Sequence, residues 1–219
     1  MAAAPFVLAS NSPRRHALLR EAGYEFEVVA PAVSELVLVH LSLRELTIAN
    51  ATRKAIAVAR IYPDRIVLAA DTLVAMDGEI IGKPSDLTHA RMILRRLSGR
   101  THDVGTAVCI IGAEGRISYA EISQVRFRNL TETAITEYFK VVNPVDKAGA
   151  YGAQGAGRSI IAAIKGSVTN VIGLPMGRTK KALEQIGIRP LSGSQRQPSG
   201  AELELVPVHV STPDRETRQ

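Results

Sequence analysis

Tryptophan is absent, cysteine occurs once and aromatic residues make up only 4% of the 219-residue chain. A lone cysteine, Cys109, excludes an internal disulfide framework. So few rings leave little for a base-stacking platform, which argues against single-stranded nucleic acid as a ligand. No apolar run approaches the roughly 20 residues that cross a bilayer as a helix. The opening residues, Met-Ala-Ala-Ala-Pro-Phe-Val-Leu-Ala-Ser, lack the charged start and longer apolar region of a secretory signal. The expectation is a cytoplasmic protein with no membrane partner.

What is present is a globular composition, 46% hydrophobic and 22% charged, in a chain long enough for one substantial core or one domain with two lobes. The excess of 27 basic over 21 acidic residues, +6, suits an anionic partner. The basic residues are dispersed apart from Arg14-Arg15, Arg95-Arg96 and Lys180-Lys181, so a small polyanion such as a nucleotide fits at least as well as nucleic acid. Residues 192–200 are rich in Ser, Gln, Gly and Pro. We therefore expect one domain over 1–190 and a polar, mobile tail over 191–219, whose alternating run at 203–210 could add an edge strand.

Residues 66–83 read Ile-Val-Leu-Ala-Ala-Asp-Thr-Leu-Val-Ala-Met-Asp-Gly-Glu-Ile-Ile-Gly-Lys. The apolar run before Asp71 predicts a buried strand. An ionised carboxylate in or at the tip of such a strand is costly unless a cation, a metal or several donors meet it. Asp77-Gly78 is a hairpin-turn signal, after which Ile80 and Ile81 bring the chain back to Gly82-Lys83-Pro84. Asp71 and Lys83 thus belong to one compact unit, either as a structural pair on a capped hairpin or as two chemical groups facing a common cleft.

Residues 6–10 predict a short strand, and Asn11-Ser12-Pro13 supplies a turn, an N-cap and a proline suited to a first helical position. The helix expected over 14–22 stops at Gly23 and carries Arg14 and Arg15 in its first turn. Positive charge is unfavourable there unless an anion is bound, so the pair marks either an anion site or two solvated arginines. Residues 25–30 read as a strand closed by Pro31, with Glu35 in the following loop. Ser42-Leu-Arg-Glu45 has the form of a capping box for a helix running toward Ile61, with Leu46, Ala49, Ile56 and Ala59 as its buried face. Lys54 on that helix reads, from its local context, as a solvated lysine.

A helix ending at Leu97 and capped by Ser85 or Thr88 follows, then two long strands over 102–112 and 117–127 around a hairpin at 113–116. Thr131 should cap a helix from Glu132 to about Val141. His89 and His102 have no His or Cys at metal-ligand spacing and read as structural or exposed. Residues 149–157 hold four glycines, which let backbone pass close to a ligand, and Asp146, Lys147, Tyr151 and Gln154 supply polar groups there. This stretch has neither the Walker A pattern nor the dinucleotide fingerprint. A strand over 159–164, a turn over 166–174 and a helix from Pro175 toward Gly187 complete the domain.

Leu8-Ala-Ser-Asn-Ser-Pro-Arg-Arg15, Ala70-Asp-Thr-Leu-Val74, Ile81-Gly-Lys-Pro84, Leu97-Ser-Gly99 with His102, Asp146-Lys-Ala-Gly-Ala-Tyr-Gly152 with Gln154-Gly155, and Asn170-Val-Ile-Gly-Leu-Pro175 resemble, in order and spacing, the Maf nucleotide pyrophosphatases. The resemblance runs from about residue 6 to residue 188. It implies an α/β fold, a mixed, twisted sheet flanked by helices with two lobes around a central cleft, related in architecture to the inosine triphosphate pyrophosphatases. It also implies hydrolysis of a nucleoside triphosphate to the monophosphate and pyrophosphate, a divalent cation (magnesium or manganese) as cofactor, and a homodimer.

Arg14, Thr72 and Gln154 match the combination associated with the family's dTTP/UTP branch. On the same resemblance Asp71 is the general base and, with Glu35, a metal ligand, while Lys83 completes the catalytic set. Ser10, Arg14, Lys54 and Lys83 would meet phosphate oxygens, Asp146 would orient one of these cations, and Thr72 and Gln154 would bind the substrate. Asn143 and Ser34 stand where the family often has acids, and Ala153 and Ala107 change the packing type. A nucleotide-binding regulator of cell division, inhibiting septum formation with little or no catalysis, is the alternative reading. Nucleic-acid binding through the net charge ranks last.

Overall fold

The computed structural model describes residues 6–36, 38 and 40–191. The tail expected over 191–219, with its alternating run, lies outside the described residues apart from Leu191, whose N–H donates to Gly23 O. Among the described residues no helix is long and apolar enough to cross a membrane.

Seven strands, β1 (Phe6–Ala9), β2 (Phe26–Val28), β3 (Val67–Met76), β4 (Glu79–Ile81), β5 (Thr101–Gly112), β6 (Gly115–Phe127) and β7 (Ile161–Lys165), form one mixed sheet in the order β2-β1-β3-β5-β6-β7, with β4 attached to β3. The fully buried β1 runs parallel to β2 and to β3. Parallel pairing needs crossover connections, here α1 (Pro13–Glu21) and α2 (Leu43–Ala59). The remaining pairs are antiparallel: β3 with β4 and β5, β5 with β6, and β6 with β7. α3 (Leu87–Leu97), α4 (Glu132–Val141), α5 (Val168–Ile172) and α6 (Met176–Gln185) complete the α/β architecture.

Strand alternation decides which helices each face of the sheet receives. Val67 and Ala69 of β3 join Val7, Ala9, Ala107 and Cys109 in a cluster of small side chains beneath Ala51, Ala55 and Val58 of α2. Leu68, Ala70, Val74 and Met76 point the other way, into a larger core with Leu94 and Leu97 of α3, Ile135 and Tyr138 of α4, and Leu183 of α6. Small residues on the α2 face let the helix lie close. A Cβ added to Gly105 would stand 3.0 Å from the Leu43 side chain at the start of α2.

The capping box at Ser42 forms as expected: Glu45 N–H donates to Ser42 Oγ, and Ser42 N–H donates to Glu45 Oε2 at 2.9 Å. Four expectations need correction. The buried residues of α2 are Leu46, Thr47, Asn50, Ala51, Ala55 and Val58, whereas Ala49, Ile56 and Ala59 are only partly covered. Asn50 is buried because its amide exchanges hydrogen bonds with the Leu36 backbone (2.7 and 3.3 Å), a long-range pairing that no apolar pattern reveals. α3 is capped by Asp86, which accepts from His89 N–H at 2.8 Å, rather than by Ser85 or Thr88; a carboxylate suits the positive helix end. Residues within the expected turn over 166–174 instead form α5, capped by Ser167 accepting from Asn170 N–H at 3.1 Å. Finally, β3 does not end near Asp71 but continues to Met76 before the Asp77-Gly78 turn.

Candidate active site

A strand has two hydrogen-bonding edges. One edge of β3 pairs with β5 from Val67 to Ala75; the other is shared by β1, at Val67 to Ala69, and β4, at Val74 to Met76. Among the described residues, 70–73 therefore have no strand partner on that shared edge, and the sheet divides there. A cleft of about 360 Å³ opens at the division. The β1–α1 connection forms one side of it and the 146–153 loop another. Asp71 and Thr72 lie in the gap on opposite faces of β3, and alternation gives each a different set of neighbours.

Asp71 shares the α2 face with Val67 and Ala69. Lys54, three residues after Ala51 and four before Val58, sits on the same helix stripe. Its Nζ donates to Asp71 Oδ1 at 2.6 Å and to Glu35 Oε1 at 2.8 Å, and Lys83 Nζ lies 3.8 Å from that same Glu35 oxygen. Lys54 is thus 12% exposed at its side chain and committed to two carboxylates, a correction to the solvated lysine that its local sequence suggests. Asp71 pairs with Lys54 and not with Lys83, so a structural hairpin pair does not form. Burial pushes the Glu35 carboxyl up, but the Lys54 hydrogen bond and the charges of Lys54, Lys83 and Arg15 outweigh it and hold the group below its ordinary range.

Thr72 faces the other way, toward α1. Arg15 is buried there, its Nε donating to Gly173 O at 2.8 Å and its two terminal nitrogens to Ser10 Oγ at 3.0 Å and Thr72 Oγ1 at 2.9 Å. Burial lowers its pKa, an effect that the Asp71 charge opposes. Of the two arginines expected at an anion site, Arg15 is therefore committed to protein acceptors. Arg14 stands half-buried on the cleft with its Nε 3.3 Å from Ile172 O. Ser12 makes no side-chain cap on α1, so the helix start meets the cleft uncapped, which favours an anion there.

The glycine-rich loop closes the cleft. A Cβ on Gly157 would lie 2.5 Å from Gly152 O, so only glycine permits this approach. Tyr151 anchors the loop against the sheet: its hydroxyl is 2.7 Å from His102 Nε2, and the Tyr151, His102 and Phe127 rings meet edge to face. Asp146 pairs with Lys147 at 2.6 Å. Gln154 does not line the cleft itself. It borders an adjoining depression together with Arg14, Asn143, Asp146 and Lys147.

Ser10, Arg14, Glu35, Lys54, Asp71, Thr72, Lys83 and Asp146 are thus brought to one cleft from separate elements. Arg15 and Lys147, which the sequence offers at the helix start and in the glycine-rich loop but which the resemblance does not assign a role, also line it. Their adjacency to Arg14 and Asp146 was the available signal.

Burial lowers the His102 pKa to about 4, against about 6.5 for a solvated imidazole. Between these values the unfolded chain binds a proton that the folded chain does not. Stability should therefore fall as pH drops from about 6.5 to about 4, by about 3 kcal/mol in all, with no further loss from this group below that range. Melting curves across this window should show a shallower slope for His102→Gln than for the natural chain.

The site suits a hard divalent cation. Asp71 Oδ2 is buried and has no hydrogen-bond partner among the described residues, and Glu35 offers a second carboxylate on the same cleft. No cluster of three or more His, Cys, Asp or Glu residues that could hold a metal exists among the described residues. Magnesium and manganese sites of one or two carboxylates completed by phosphate and water have this character.

Residues 5–186 match the family described as Maf-like protein. A dTTP/UTP pyrophosphatase of Akkermansia muciniphila is 44% identical over 185 residues, spanning 84% of this chain and 98% of its own. Another dTTP/UTP pyrophosphatase, from Symbiobacterium thermophilum, is 45% identical over 187 residues, 85% of this chain and 96% of its own. Among solved structures, the Staphylococcus aureus Ham1 protein aligns with 85% of this chain and 92% of its own at 17% identity and a TM-score of 0.43. The family match spans the whole cleft, from the β1–α1 turn to the loop beyond Asp146, and the chain, 44–45% identical to relatives matched over nearly their full length, therefore belongs to the Maf-like protein family.

Proposed function

We propose that this chain is a nucleoside triphosphate pyrophosphatase that converts dTTP and UTP to the monophosphate and pyrophosphate. The observation that carries the proposal is the buried Asp71, with one oxygen unpartnered among the described residues, on a cleft that also presents Lys54, Lys83 and Arg14. A base for water thus stands beside cations for phosphate, in a chain whose relatives carry that activity in their names. Asp71 takes a proton from a water whose oxygen bonds to the α-phosphorus. The bond from that phosphorus to the bridging oxygen breaks, and pyrophosphate leaves with the electron pair. Lys54, Lys83 and Arg14 neutralise the charge that builds on the phosphate oxygens.

Ser10 and Asp146 border the phosphate region, Thr72 lines the same cleft, and Gln154 extends the site into the adjoining depression. Asp71 and Glu35 would hold the divalent cation, which when bound polarises phosphate oxygens and assists deprotonation of water. On the family's pattern we extend the proposal to a cytoplasmic homodimer, checked by its mass in solution.

Purified protein with magnesium or manganese should turn dTTP into dTMP and pyrophosphate. Release of single phosphate, or no turnover across a panel of triphosphates, would reject the proposal.

A further inference from the structure

The two halves of the glycine-rich loop are held in different ways. Residues 146–151 are tied to the sheet: Gly149 N–H donates to Gly82 O at 3.1 Å, beside Lys83, and the Tyr151 hydroxyl meets His102 Nε2. Residues 152–157 fold back on themselves. Gly157 N–H donates to Gln154 O at 3.0 Å, Ser159 Oγ donates to Ala156 O at 2.8 Å, and Gly157 packs against Gly152 O with no room for a Cβ. Those contacts are all local.

Among the described residues, the hydrogen bonds that tie this second half to another element come from Tyr138 of α4. Its hydroxyl accepts from Gly152 N–H at 3.1 Å and donates toward Gly157 O at 3.5 Å. One oxygen thus spans the neck of the loop, the two points between which residues 153–156 leave and return. Tyr138 is buried, so little water competes for either bond. Burial pushes its phenol up to about 12, an effect the Gly152 N–H opposes, and the hydroxyl keeps its proton at neutral pH. Gln154 stands exposed at the tip beyond this neck, on the depression it shares with Arg14.

We propose that the Tyr138 hydroxyl is a positioning group for nucleotide binding, which closes the neck between Gly152 and Gly157, holds Gln154 in place beside Arg14 and takes no part in the chemical step at Asp71. The inference rests on the pyrophosphatase reading of the cleft and adds to it a residue that lines neither the cleft nor the depression. A tip that has to be ordered as the nucleotide binds costs conformational entropy, and a tip held in advance does not. Loss of the oxygen leaves Asp71, Lys54, Lys83 and Glu35 alone, since their ion pairs run among themselves.

Turnover of dTTP should be measured for the natural chain, Tyr138→Phe, Gln154→Ala and the double variant, each with a melting curve. Phenylalanine keeps the ring and removes only the oxygen. Tyr138→Phe should raise KM about three- to tenfold and change kcat less than about twofold, the pattern of lost binding rather than lost catalysis. With Gln154 already replaced, the same change should raise KM less than about twofold, because the tip no longer carries the side chain that Tyr138 positions. A lowered melting temperature with KM unchanged, a loss confined to kcat, or equal KM effects in both backgrounds overturns the inference while leaving the pyrophosphatase reading intact. Amide exchange on the natural chain tests the contact even if Tyr138→Phe fails to fold. Gly152 N–H should be protected there, and exchange as fast as in an unfolded peptide also overturns the inference. Absence of any dTTP turnover in the natural chain overturns the pyrophosphatase reading and the inference with it.

Discussion

Asp71→Asn should lower dTTP turnover by about 10²–10⁴-fold, the span expected for loss of a positioned general base, with the fold preserved. The amide has the shape of the carboxylate, and its oxygen can still accept from Lys54 Nζ, which stands 2.6 Å from Oδ1. What disappears is the proton acceptor and the negative charge. The unpartnered Oδ2 is where the difference falls, because that atom faces no donor among the described residues. Steady-state kinetics together with circular dichroism and a melting curve check the result. A loss under tenfold in a folded variant would move the base assignment to Glu35, the other carboxylate bound to Lys54.

The second large effect is on stability. Arg15→Met should destabilise the protein by about 3 kcal/mol. Hydrogen bonds to charged groups contribute about 1.5–3 kcal/mol each, and Arg15 makes three within hydrogen-bond range, to Gly173 O, Ser10 Oγ and Thr72 Oγ1. Removing a buried cation also removes its desolvation cost, which offsets part of that loss. The methionine stem keeps much of the packing. Arg15→Lys should not rescue fully, since a single ammonium cannot serve three acceptors spread around a planar guanidinium. Urea midpoints measure the effect, and a change below about 1 kcal/mol would show that Arg15 does not tie α1, β3 and the Gly173 turn together.

The two effects separate because Asp71 and Thr72, adjacent in sequence, serve different faces of one strand. Asp71 looks toward α2, where its loss alters chemistry. Thr72 looks toward Arg15 and Thr106, where the network fastens the halves of the cleft.

Much of this was legible in the chain itself. The capping box at Ser42, the Thr131 cap, the Asp77-Gly78 turn and the apolar runs of β3, β5 and β6 are local signals, and the elements they mark formed. Local signals failed where a distant partner decided the outcome. Asn50 is buried by its bonds to Leu36, so the apolar face of α2 cannot be found from spacing alone. Asp86 displaced Ser85 and Thr88 as the cap of α3, in a sequence where several residues could have served.

The sequence by itself determined that a carboxylate would enter a buried strand at Asp71, that arginines would stand at a helix start, and that a glycine-rich loop would follow Asp146. Residue type and short-range spacing suffice for those statements. Only the tertiary structure decided that β1 and β4 share one edge of β3 and leave a gap at Asp71 and Thr72. It also decided that Lys54 rather than Lys83 meets Asp71, and that Arg15 rather than Arg14 is buried. The physical reason is that a charged side chain takes its partner from whatever the packed layers bring within about 3 Å, and the order of strands in a sheet is set by contacts between residues far apart in the chain.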